Sequence, residues 1–155
     1  SIANYNCPGQ IVITGEAAAV AEAGTALKEA GARRVLPLKV SGPFHSPMMR
    51  PAGEELAKVF AGISMNPLKI PYVANINAEV IADCGRIEGL LVDQVSGSVR
   101  WQQSVETMIR EGVDTFVEIG PGKTLTGFLR KIDKNVKTYH IGSWEEAVQV
   151  CEELK

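Results

Sequence analysis

The chain carries two imidazoles, and they stand in different surroundings. His45 lies in Ser41-Gly42-Pro43-Phe44-His45-Ser46-Pro47, a stretch crowded with turn formers, where a scaffold often places working groups. His140 lies inside a β-prone run, Thr138 to Ile141. A loop histidine can serve as a general base, or its ring nitrogen can simply cap the helix behind it, and position alone leaves both open. A base needs a nucleophile. The strand-to-helix elbow G-x-S-x-G that exposes a serine is absent: Gly62-Ile63-Ser64-Met65-Asn66 fails at its fifth position and follows a helix rather than a strand. Cys7 has nothing nearby to favour a thiolate and reads as a buried structural thiol. None of these residues completes a nucleophile and base pair within the chain.

Two further groups carry polar chemistry. Gly122-Lys123-Thr124 follows a strand and opens a helix, as in a phosphate-binding loop, but G-x-x-x-x-G-K-[ST] requires glycine where Val117 stands. The loop is too short to wrap a triphosphate, and a tight strand-to-helix turn is the preferred reading, although a helix N-terminus could still attract one phosphate or carboxylate. Asn4, Asn6 and Gln10 surround Pro8-Gly9. Such amides either bind a substrate carbonyl or hold a turn, and the turn reading is favoured. Gln94 and Asn75, at the ends of a helix and a strand, carry the same ambiguity.

The elements that must position these groups follow from periodicity and punctuation. Gln10 to Thr14 reads as a strand, Glu16 to Ala30 as a helix ended by Gly31, and Arg34 to Val40 as an edge strand weakened by Pro37. Ser46 caps a helix that starts at Pro47 and runs to about Ala61. A strand into a turn is expected over Ile70 to Ile76, and helices over Ile87 to Val95 and Trp101 to Glu111. Thr115 to Ile119 reads as a buried strand leading through Gly120-Pro121-Gly122 into a helix. A short strand, Thr138 to Ile141, and a helix capped near Ser143 complete the chain. The alternation makes the chain α/β, in two sub-units meeting near Ser41.

The 155 residues suit one globular domain or a small piece plus a larger one, with net charge -2, 45% hydrophobic and 22% charged. No basic run could neutralise a phosphate backbone and no apolar run could span a bilayer, so neither nucleic acid nor membrane is expected as a partner. Cys7, Cys84 and Cys151 are far apart with no C-x-x-C pair, which suggests neither disulfides nor a zinc site and fits a reducing, cytoplasmic setting. Ser1-Ile2-Ala3-Asn4 shows no signal-peptide character, and the start without Met suggests a cut chain.

Four motifs in order and spacing carry a resemblance: Asn4-Tyr5-Asn6-Cys7-Pro8-Gly9-Gln10, Val40-Ser41-Gly42-Pro43-Phe44-His45-Ser46-Pro47-Met48-Met49, Ser98-Val99-Arg100-Trp101, and Glu118-Ile119-Gly120-Pro121-Gly122-Lys123. Over nearly its whole length the chain resembles the C-terminal half of the malonyl-CoA:acyl-carrier-protein transacylases. The resemblance implies part of an α/β-hydrolase-like acyltransferase core, residues 42–155, and part of a ferredoxin-like small subdomain, residues 1–41, with the active site between them.

It further implies ping-pong transfer of a malonyl group from coenzyme A to the phosphopantetheine thiol of acyl carrier protein, through a malonyl-serine, in fatty acid biosynthesis. His45 matches the family's histidine, base for the serine and acid for the departing thiol. Gln94 matches the residue whose backbone carbonyl orients that imidazole. Asn4 and Asn6 match amides lining the pocket floor. A Phe at the place of Phe44 goes, in related polyketide acyltransferases, with malonyl, its bulk crowding a 2-methyl branch. The nucleophile elbow, the oxyanion loop and the arginine that pairs with the malonate carboxylate belong to an N-terminal half not represented here. The expectation is thus a partial enzyme, inactive alone, with no cofactor beyond malonyl-CoA as substrate. Its partners would be acyl carrier protein and the N-terminal half, and the intact enzyme would be a monomer. Two alternatives stand beside it: a non-catalytic module binding a phosphate, coenzyme A or a partner protein, and a segment of a polyketide-synthase acyltransferase. An imidazole sealed from any cleft at position 45 would end the acyl-transfer reading.

Overall fold

A computed structural model describes residues 1–155. Strands β1 (Ile2–Cys7) and β2 (Gln10–Ile13) form an antiparallel hairpin turned by Pro8-Gly9, with two irregularities in its register. Helix α1 (Ala17–Glu29) follows and stops at Gly31, which takes φ +94 so that Gly31 N–H reaches the Lys28 carbonyl and Ala32 N–H the Leu27 carbonyl. This left-handed closure is open to a residue without Cβ, and Gly112 ends a later helix in the same way.

Residues 32–46 form no regular element. The strand expected over Arg34 to Val40 is absent. Leu36, Leu38 and Val40 still alternate, at 58%, 61% and 65% exposure, but no strand lies beside them and Pro37 offers no N–H to a neighbour. A single 3₁₀ turn (Pro47–Met49) then leads into α2 (Arg50–Phe60). The antiparallel pair β3 (Tyr72–Ala74) and β4 (Glu79–Ile81) comes next. After a second 3₁₀ turn (Cys84–Arg86) come α3 (Ile87–Ser96) and α4 (Trp101–Arg110).

The last third is a parallel unit. Strand β5 (Thr115–Ile119) pairs in parallel with β6 (Lys137–Ile141), and α5 (Thr124–Ile132) is the crossover between them. Helix α6 (Trp144–Glu153) opens at Ser143, whose hydroxyl accepts the Glu146 N–H at 3.2 Å. The architecture is mixed α/β, with three separate two-stranded sheets.

The interior is thin. Seven apolar residues are buried, among them Cys7, Ile81, Val105 and Leu129, while eighteen large apolar residues are exposed. The surface of 10613 Å² compares with about 7,600 Å² expected for a compact monomer of this mass. The apolar faces on these elements are far from fully covered by one another.

Candidate active site

His45 is brought to the end of α3 by packing between helices. Gly53 of α2 lies so close to α3 that a Cβ there would stand 3.1 Å from the Val92 carbonyl oxygen. This contact sets the loop ahead of α2 against the last turn of α3. The Gln94 carbonyl belongs to that turn, where helix geometry leaves oxygens without an intrahelical donor. His45 Nδ1 lies 3.0 Å from it. Facing a carbonyl, Nδ1 must carry the proton, which leaves Nε2 with the lone pair. His45 is half-buried, and its Nε2 is neither sealed in nor hydrogen-bonded within the chain. In its neutral form a ring so placed turns its lone-pair nitrogen outward.

The Gln94 side chain is not the orienting group. Its Nε2 donates to the Gly97 carbonyl at 2.9 Å, holding the bend that follows α3, and its Oε1 is buried without a partner. From that bend residues 98 and 99 run along β1. Ser98 Oγ donates to the Ile2 carbonyl at 2.6 Å, Val99 N–H to Ala3 at 2.7 Å, and Tyr5 N–H to the Val99 carbonyl at 2.9 Å. Asn4 is bridged to Val99 by this seam. Asn6 lies further along the same strand. Neither side-chain amide hydrogen-bonds His45 or Gln94, so the bond between His45 and Gln94 is the one hydrogen bond that joins two of the five expected site residues. Phe44, which precedes His45 in the chain, is 47% exposed, its ring near Gly42. Asn75 holds structure: its carbonyl accepts Arg100 N–H and its Oδ1 accepts Ser104 Oγ.

The Gly120 loop is filled by the chain itself. The Glu118 carboxylate accepts Leu125 N–H at 3.0 Å, Thr126 N–H at 2.8 Å and Thr126 Oγ1 at 2.6 Å, and so occupies the N-terminus of α5 where an anion would bind. Burial pushes the Glu118 carboxyl up, but the bonds from Thr126 and Leu125, with the nearby His140, outweigh it and hold the group below its ordinary value. Sequence reasoning missed this cap. The available signal was a carboxylate inside an otherwise apolar strand just ahead of a glycine loop. His140 is structural as well, with Nε2 at 3.0 Å from the Gly120 carbonyl and Nδ1 at 3.5 Å from Glu146. Cys7 is 2% exposed, as a structural thiol should be. No helix is long and apolar enough to cross a membrane.

Comparison with known proteins gives a consistent set of likenesses. The family model described as "Acyl transferase domain" matches residues 1–150. A malonyl CoA-acyl carrier protein transacylase of Bacillus subtilis is 42% identical over 154 residues, 99% of this chain and 49% of that protein. The crystal structure of MCAT from Streptococcus pneumoniae superposes with a TM-score of 0.92 at 43% identity, covering 99% of this chain and 50% of that one. A structure of a type II PKS acyl-carrier protein in complex with its malonyl-transacylase gives 0.95 at 38% identity, with 99% and 50% coverage. The chain spans about half the length of the curated relatives it matches.

Proposed function

The chain belongs to the acyl transferase family, and on that premise we propose that it is the base-bearing part of a malonyl-CoA:acyl-carrier-protein transacylase. The observation that carries the proposal is the imidazole of His45, its Nδ1 at 3.0 Å from the Gln94 carbonyl and its Nε2 unpaired.

In this reading Nε2 takes the proton of a serine hydroxyl supplied by polypeptide outside these residues, as that oxygen attacks the thioester carbonyl of malonyl-CoA. The imidazolium keeps its Nδ1–H on Gln94. Collapse of the tetrahedral adduct breaks the carbon–sulfur bond, and Nε2–H gives its proton to the departing coenzyme A thiolate. The second half repeats the exchange in reverse. The phosphopantetheine thiol of acyl carrier protein yields its proton to Nε2 and attacks the malonyl-serine, and the serine oxygen recovers the proton on leaving. A carbonyl stabilises the cation less than a carboxylate would. It fixes the tautomer without adding a negative charge beside a malonyl carboxylate.

Asn4 and Asn6 are assigned to the pocket floor, and Phe44 to crowding a 2-branched acyl group. The division into residues 1–41 of a ferredoxin-like subdomain and 42–155 of the core belongs to the same proposal, with the Asn4 to Val99 bridge as a seam between them. So do a cytoplasmic setting, a monomeric intact enzyme, and the inactivity of these residues without the rest of the domain. Support for the last point comes from the surface excess of roughly 3,000 Å² over a compact monomer. The alternative of a phosphate-binding module is disfavoured by Glu118, which already fills the helix terminus that module would use.

The test is transfer of labelled malonyl from malonyl-CoA to acyl carrier protein by the complete protein containing this chain. His45→Ala is expected to lower the rate by at least about a thousandfold. A rate within a few-fold of the unmodified protein would sink the proposal.

A further inference from the structure

We propose that Ser46 is a positioning residue for this chemistry, holding His45 in the backbone conformation that brings its ring to Gln94; the inference rests on the proposed role of His45. The starting point is φ +59 at His45, a left-handed conformation in a residue with a Cβ. Such a residue holds that shape only where its surroundings impose it.

The flanks alone do not impose it. Pro47 biases Ser46 toward extended backbone, and Ser46 takes φ -124 and ψ 162, which leaves His45 as the hinge between Phe44 and an extended residue. The imposing group is the Ser46 hydroxyl. It donates to the Pro43 carbonyl at 2.7 Å and accepts Met48 N–H at 3.3 Å. One oxygen thus ties the chain before His45 to the chain after it. Ser46 is 1% exposed, so water has little access to replace either bond.

Capping explains only half of this arrangement. A residue opening a helical turn needs to accept the Met48 N–H and nothing more. The donated bond to Pro43, on the far side of His45, contributes nothing to the turn and closes the loop around the histidine. Without the hydroxyl, His45 is free to relax to negative φ, and its ring leaves the Gln94 carbonyl. Nδ1–H then loses its acceptor and both neutral tautomers are populated.

The experiment uses the complete protein and reads kcat, KM and the ¹⁵N chemical shifts of the His45 ring. Ser46→Ala is expected to lower kcat about tenfold or more with KM nearly unchanged, and to replace a single Nδ1–H tautomer by a mixture. Ser46→Thr, which keeps the hydroxyl, should retain the single tautomer. Should the alanine variant fail to fold, Ser46→Gly takes its place, since glycine is tolerated better than alanine at a position that opens a helical turn. A single Nδ1–H tautomer, or unchanged kcat, in a folded variant lacking the hydroxyl overturns the inference. His45→Ala run in parallel separates the two ideas. Lost transfer there with unaffected Ser46→Ala removes only the role of Ser46, whereas retained transfer in His45→Ala removes the base itself.

Discussion

Glu118 and Thr126 are joined twice: one carboxylate oxygen accepts both the backbone N–H of Thr126 at 2.8 Å and its hydroxyl at 2.6 Å. The second oxygen takes Leu125 N–H, so a strand residue caps the helix that follows its own loop. Thr126 is 5% exposed, and its hydroxyl has little recourse to water. Glu118→Ala should therefore destabilise the protein by about 1–2 kcal/mol, the scale of a lost cap with a stranded buried donor. Urea unfolding of the complete protein measures it, and a loss under a few tenths would show the cap to be dispensable.

The same carboxylate sets a pH dependence with a definite sign. Its folded value is lowered, so its stabilisation is fully present above the ordinary value of an unfolded glutamate. It disappears as pH falls below that and through the lowered folded value. Melting temperatures of the unmodified protein and of Glu118→Gln, taken from pH 7 to pH 3, should converge at the acid end. Parallel curves over the whole range would contradict the assignment.

Because the group facing His45 is a main-chain carbonyl, the Gln94 side chain should matter little to the chemistry. Gln94→Ala removes the bond to Gly97 and leaves the carbonyl on α3. The expected loss in kcat is under about tenfold, against a thousandfold or more for His45→Ala. Comparable losses in the two variants would mean that the amide itself takes part.

Diethyl pyrocarbonate should distinguish the two imidazoles. His45 offers an unpaired, accessible Nε2, whereas His140 has Nε2 on the Gly120 carbonyl and a side chain only 11% exposed. Peptide mapping after brief treatment of the complete protein should find carbethoxylation at His45 first. Preferential labelling of His140 would place the free nitrogen on the wrong ring.

Much of the site was legible because turn formers and periodicity mark it plainly. The Pro-rich loop at His45, the helices on either side of Gly97, and the strand, loop and helix around Gly120 all lie where punctuation put them. Strand β1 escaped notice because Ile2 to Cys7 mixes amides with small apolar residues and is bulged, so the twofold alternation that marks a strand is blurred. The segment from Arg34 to Val40 has the alternation but no neighbour, and pairing is a property of two segments rather than one. The hydroxyl of Ser46 and the carboxylate of Glu118 act across gaps of three and eight residues, on geometry that residue types cannot report.

The parallel ribbon of β5 and β6 has a further consequence. Two strands leave two open rims of amides and carbonyls, flanked by uncovered side chains such as Ile119 at 77% exposure. With those rims open, the molecule is prone to recruit copies of itself, and inclusion bodies are the expected product of overproducing these residues alone.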